Sequence, residues 1–242
     1  MDQVARLIVF QSQTKNVRAM RTAMKHAHRN VNASLRARDA SSVSTYTKIY
    51  AVLFCAWAEA NFSKLIHTPY GFDLDEIKQI KKAHKDNGIA SGWKKAVELG
   101  MRHLDAKRGS FTPNAKQLMF RLIDTHVFDP SLLRNKLAHG QWSVALNREN
   151  DAINVELTSK IADLDVVRLA AWCRTHELVA GQVETLIESP KKAFMRDWHQ
   201  AVAALEAEIN AAEAQTLGEH VKRLQAKDAR TGARAKRADK VV

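Results

Sequence analysis

Tyr46-Thr47-Lys48-Ile49-Tyr50-Ala51-Val52-Leu53-Phe54-Cys55-Ala56-Trp57-Ala58-Glu59-Ala60-Asn61-Phe62-Ser63-Lys64-Leu65-Ile66 is the stretch that decides the fold. Read at helical spacing, Tyr46, Ile49, Leu53, Ala56 and Ala60 form one stripe, and Val52, Cys55, Glu59, Phe62 and Ile66 form another. A helix that is apolar on nearly every side must be surrounded by others, so it is predicted to be the central helix of a bundle. Ser41 or Ser42 offers its N-cap, and it runs to about His67. Glu59 is its one charged residue between Lys48 and Lys64. A buried carboxylate is costly unless paired. Glu59 is therefore either a site residue, with a base such as Arg134 as partner, or half of a structural salt bridge.

Working outward, the chain from Asp2 to Leu35 has no Gly or Pro, and Val17, Met20, Met24, Ala27, Val31 and Leu35 recur at helical steps. The opposite face carries Arg18, Arg21, Lys25, Arg29 and Arg36. After a loop at Pro69–Asp73, short helices are predicted over 73–83 and 91–105, and another from Pro113 to Phe128. Pro130 then opens a helix that Gly140 is placed to end in a left-handed cap. Alternating Val, Ile and Leu in 142–147 and 152–158, around a polar Arg148–Asp151 turn, predict a small β-hairpin. Asp163 is read as the cap of a helix reaching Ser189, and a last helix runs from Pro190 past Leu224. The expected class is all-α: a helical bundle over 1–190 with a hairpin insertion, a long C-terminal helix over 191–226, and a basic, disordered tail over 227–242.

Composition excludes several classes of function. No Cys-x-x-Cys pair exists, and Cys55 and Cys173 both lie in apolar helical patterns, which predicts buried reduced thiols. No secretory leader and no run of about 18 apolar residues is apparent, so a cytoplasmic protein without a membrane segment is expected. His176-Glu177 resembles half of a zinc-protease motif, but Ala180 stands where the second ligand belongs. Neither a metal site nor a Gly-rich phosphate loop follows, and no cofactor is expected.

Charge is informative. The net charge is +12. Residues 1–40 and 221–242 each contribute +6, while 41–220 are neutral. Two basic ends on a neutral body suggest a polyanion partner, most plausibly nucleic acid, against the plainer account of solvated helix faces.

Between those ends lies Arg134-Asn135-Lys136-Leu137-Ala138-His139-Gly140. Arg fixes phosphate with a permanent charge, and His moves protons near neutral pH. Arg134 and His139 are roughly 140° apart around an ideal helix, so they converge only if the helix unwinds at Gly140, if Arg134 reaches round, or if two copies face each other across a two-fold axis. His139 at a helix C-terminus is suited to donate a proton to a leaving oxygen. Arg134 would stabilise charge on the phosphate oxygens, and Asn135 would orient the phosphate or hold His139. The plainer account is a helix end: Arg134 on a carboxylate, with Asn135 and His139 closing the last turn.

This string resembles the R-x(4–6)-H signature of the HEPN superfamily, small helical domains found in many ribonucleases and toxins. The resemblance would cover about residues 15–190 and implies metal-independent RNA cleavage. In that chemistry the 2′-hydroxyl attacks the adjacent phosphate and leaves a 2′,3′-cyclic phosphate. It further implies a homodimer with a composite site, and a toxin or antiviral effector with an antitoxin or regulatory protein as partner. Gln141 stands where one toxin branch carries a Tyr, which argues against that branch's nucleotidyltransferase antitoxin. Lys136, Trp142, Arg18, Arg21, Lys25, Arg29, Arg234, Lys236 and Arg237 are the expected RNA contacts, Trp142 by stacking on a base. A non-catalytic HEPN-type module that binds RNA or protein is the alternative.

Overall fold

The computed structural model describes residues 2–104 and 109–238, the last eight as backbone only. Helices α1 (Gln3–Ala37) and α2 (Ala40–Ile66) form a long antiparallel hairpin. Arg38 turns the chain in the left-handed region at φ 56, its N–H on Leu35 O while Asp39 N–H reaches Ser34 O. Asp39 caps α2 through Ser42 N at 3.0 Å and takes the Ser42 hydroxyl at 2.6 Å. The cap is thus Asp39 rather than Ser41 or Ser42, because a carboxylate satisfies the orphan N–H and also meets the positive end of the helix dipole.

Next come α3 (Leu74–Asn87), opened by an Asp73–Glu76 capping box, and α4 (Ile89–Arg102). Helix α5 (Phe111–Ile123) continues through a wide π-type turn, Asp124–Phe128, into α6 (Asp129–Ala138). Pro130 therefore lies inside one continuous helical rod instead of opening a new helix. Proline lacks an N–H and crowds the carbonyl four residues back, here that of His126. The widened turn, with Asp129 N–H bonded to Asp124 O, relieves that crowding.

The predicted β-hairpin over 142–158 is not formed. One antiparallel bridge, Leu146 with Ile153, is its remnant. Its second half is instead helix α7 (Val155–Ala162), capped by Asn154 on Leu157 N at 2.9 Å. The alternation misled because Ile153 and Val155 are exposed, while Leu157 and Ile161, one helical turn apart, are the residues that pack.

Helix α8 (Val166–Glu188) is capped by Asp165, on the N–H groups of Val167 and Arg168, and not by Asp163, which ends α7. A second π-type turn, Pro190–Phe194, leads into α9 (Met195–Glu213). The long terminal helix expected from the sequence is two helices. Thr216 and Glu219 cap each other's backbone N–H and start α10 (Leu217–Ala238). The tail expected to be disordered is helical over 227–238, where Ala, Arg and Lys are strong helix formers. Residues 239–242 lie outside the described residues.

The helices enclose two apolar cores. One gathers the end of α2 with α3, α4, α5, the second half of α8, and α9, around Trp93, Leu99, Met119 and Val183. The other joins α1, the middle of α2, α6, α7 and the start of α8, around Val31, Phe54, Trp57, Leu133 and Leu169. Helices α2 and α8 run through both. The sequence reading found no bilayer-spanning run, yet α2 has the length and mean hydropathy (1.2) for one by composition alone. A bundle's central helix satisfies the same test, and 44% of that window is buried by neighbouring helices.

Candidate functional site

The two cores meet along a seam, and a cleft opens there. Phe54, Cys55, Trp93, Val127 and Pro130 form its buried wall; Glu59, His126, Ser131 and Arg134, all partly exposed, stand nearer its mouth. Its enclosed space is small, about 30 Å³, and the mouth opens to solvent. Four helical elements build it: α2, α4, α8 and the rod α5–α6 that the π turn bends past Pro130.

Glu59 and Arg134 form an ion pair across α2 and α6, as the sequence anticipated. Arg134 Nη1 also donates to Asn135 Oδ1 at 2.9 Å, so the guanidinium is gripped from two directions. Glu59 is not the buried carboxylate expected, since its side chain is 43% exposed. A pair this exposed contributes on the order of 0–1 kcal/mol. What it provides is geometry: a cation aimed across the cleft mouth.

His176 closes the back of the cleft and is essentially buried. Its ring meets Phe54, Trp57 and Trp93 edge-on, with centroids 5.2–5.9 Å away. Burial drives its pKa down to about 4, against the opposing pull of a hydrogen bond to the His126 backbone carbonyl. That carbonyl is the one Pro130 deprives of a helical donor, so the neutral imidazole repairs a backbone defect created by the rod. Its Nε2, and the indole N–H groups of Trp57 and Trp93, are buried without partners. Cys55 is equally passive: burial pushes its thiol up to about 12, although Arg134 pulls the other way. Both cysteines are free and buried.

The other end of the motif behaves differently. Gly140, at φ 77, gives its N–H to Leu137 O, and Gln141 N–H reaches Lys136 O at 2.9 Å. These are the two bonds of a Schellman end, with His139 as the last helical residue and Gly140 in the left-handed position, as predicted. Because α6 stays regular to Ala138, the helix does not unwind enough to turn His139 towards Arg134. His139 is exposed, is absent from the cleft lining, and makes no hydrogen bond to Arg134 among the described residues.

The remaining candidates divide similarly. Lys136 Nζ is 3.4 Å from the Asn147 carbonyl and ties down the following loop. Trp142 packs against the second core and donates its indole N–H to Leu137 O at 2.9 Å. That is a structural task at the helix end. Arg18, Arg21, Lys25 and Arg29 are exposed along α1. Arg21 is partly neutralised, with Glu177 at 2.5 Å and the Trp57 ring beneath it at 5.6 Å. Arg234, Lys236 and Arg237 fall on α10, and their side chains lie outside the described residues.

His126, His176 and Cys55 were missed as cleft residues. The signal was present: 126, 130 and 134 recur four apart and share a face. Taking Pro130 as a helix start cut that face in two. No group of three or more His, Cys, Asp or Glu suited to a metal ion occurs among the described residues. Comparison of the chain with family profiles, curated proteins and solved structures gives no match.

Proposed function

We propose that this protein is a metal-independent endoribonuclease of HEPN type, cutting RNA by attack of the 2′-hydroxyl to give a 2′,3′-cyclic phosphate. The carrying observation is Arg134, pinned by Glu59 and Asn135 at the mouth of an apolar-walled cleft, where its charge is already oriented. Arg134 takes the non-bridging phosphate oxygens, Asn135 and Glu59 hold it, and His139 at the helix end supplies a proton to the leaving oxygen. The resemblance of Arg134–Gly140 to the HEPN signature supports the same reading and suggests a homodimer in which two such segments share one substrate groove. The exposed cations of α1 supply the electrostatic attraction for RNA. A cellular role as a toxin or antiviral effector goes with that chemistry.

One observation favours a second reading, a non-catalytic module binding RNA or protein: within one chain, His139 stands outside the cleft that holds Arg134. The two are separated by incubating purified protein with labelled RNA in EDTA, beside Arg134→Ala and His139→Ala. Cleavage with cyclic-phosphate ends that is lost in both variants supports the ribonuclease. RNA bound but uncut across several RNA classes supports the module.

A further inference from the structure

Transesterification of RNA needs two proton transfers, one from the attacking 2′-hydroxyl and one to the departing 5′-oxygen. The motif names one histidine, His139, and that residue is on the helix end rather than in the cleft. Five titratable residues line the cleft, Cys55, Glu59, His126, Arg134 and His176, and His126 also borders the neighbouring pocket beside Asp129. Cys55 is a buried thiol held protonated. Glu59 is occupied by Arg134. His176 is buried at the back and spends its ring on a backbone carbonyl. His126 alone is partly exposed and makes no side-chain hydrogen bond to the protein among the described residues.

We propose that His126 is a catalytic residue of this cleft, taking the proton of the 2′-hydroxyl while the phosphate sits on Arg134. The proposal rests on the ribonuclease reading and deepens it. His126, Pro130 and Arg134 follow each other at four-residue steps on one face of the rod, so eight residues, about 12 Å of axis, separate the two functional side chains. Helical side chains lean towards the N-terminus, and because Arg134 is the longer of the two it reaches further back along that face, which shortens the separation from His126. The His126 backbone is fixed by the π turn and by the His176 ring on its carbonyl, so the imidazole is carried on a rigid element. Burial lowers its pKa, with Asp129 pulling the other way, which favours the neutral form a base requires.

The step balances within the substrate. The 2′-O–H bond breaks and its proton moves to a His126 ring nitrogen. The 2′-oxygen bonds to phosphorus as the bond from phosphorus to the 5′-oxygen breaks. Within one chain, the 5′-oxygen takes a proton from water at the cleft mouth.

The test is single-turnover cleavage of labelled RNA by the full chain, comparing wild type, His126→Gln, and His126→Ala with and without added imidazole. His126→Gln is expected to lower the chemical rate by about 10²–10⁴-fold with RNA affinity little changed, and imidazole to restore part of the rate to His126→Ala. A loss caused by misfolding would not be rescued by imidazole. Cleavage by His126→Gln at the wild-type rate, alongside an inactive Arg134→Ala, overturns the assignment and leaves the ribonuclease standing. A wild type that cuts no RNA removes the ribonuclease reading and this assignment with it.

Discussion

In the seam cleft, Arg134 is held by Glu59 on one side and Asn135 on the other, with its side chain two-thirds withdrawn from solvent. On α1, Arg18, Lys25 and Arg29 carry the same charge into open water. The first arrangement fixes one charge at one place and surrounds it with apolar walls, where an electrostatic contact is strong. The second spreads several charges over a long face, each screened within about a Debye length of 8–10 Å at ordinary salt. The contrast separates two tasks often merged under basic residues: on the proposed function, the cleft acts on one phosphate and the α1 face holds many. Their energetics predict different sensitivities to substitution, pH and salt.

The largest effect is expected at the cleft. Arg134→Ala should reduce RNA cleavage by about 10²–10³-fold or more, the scale for removing one oriented group facing transition-state charge. Its melting temperature should change little, because the exposed pair with Glu59 stabilises the fold by less than about 1 kcal/mol. Glu59→Gln should fall between, keeping the charge of Arg134 but loosening its aim. An Arg134→Ala protein that loses activity only because it unfolds would break the comparison, since Arg134 would then be a structural residue.

The next effect reads the back of the cleft through pH. His176 has an ordinary pKa of 6.5 when unfolded and about 4 when folded. Above pH 6.5 both states are neutral, so the group contributes nothing. Between pH 6.5 and 4 the unfolded state binds the proton first, and folding stability falls, by about 3 kcal/mol in all. His176→Phe keeps an aromatic ring among Phe54, Trp57 and Trp93 and cannot titrate. It should be no more stable than wild type at pH 7, because the His126 carbonyl loses its donor, but its stability should fall less on acidification. Urea midpoints at pH 7 and pH 4.5 measure this. An unchanged pH slope would mean that the ring is not held neutral.

A smaller effect tests the outer half of the motif. Gly140 is left-handed at φ 77, and an added Cβ meets nothing within 4 Å. Gly140→Ala therefore costs only the backbone strain, about 1 kcal/mol. Cleavage should drop with it if the position of His139 matters, since the two Schellman bonds set that helix end. Activity that follows stability alone would place His139 outside the chemistry.

Much of this architecture was legible from particular residues. The apolar α2 and the Gly140 helix end each follow from a local rule that tertiary packing did not override, and the lone charge of Glu59 pointed to its pair with Arg134 although its burial was misjudged. The failures share a cause as well. The hairpin was read from alternation at Ile153 and Val155, which turned out to face solvent. The long last helix was read from propensity, which is blind to the Thr216–Glu219 cap. The cleft histidines were hidden because sequence rules treat Pro130 as a boundary. A π turn that absorbs a proline depends on partners from elsewhere, here His176, fifty residues further on in the chain. Such a contact has no local signature.

The smallest effect belongs to the α1 face, and its form matters more than its size. If Lys25 and Arg29 each contact one phosphate, removing either should weaken binding of single-stranded RNA about fourfold at 0.15 M salt and flatten the log-affinity against log-salt slope by about 0.7. Arg21→Ala should do less, because Glu177 and the Trp57 ring already engage that guanidinium. None of these changes should alter the cleavage rate of RNA already bound, whereas Arg134→Ala should alter that rate and leave the salt slope nearly intact. Binding titrations at several salt concentrations, paired with single-turnover rates, distinguish the two faces. A Lys25 or Arg29 variant that slows the bound reaction would merge them, because a screened surface charge has no means of acting on one phosphate unless α1 itself lines the substrate path.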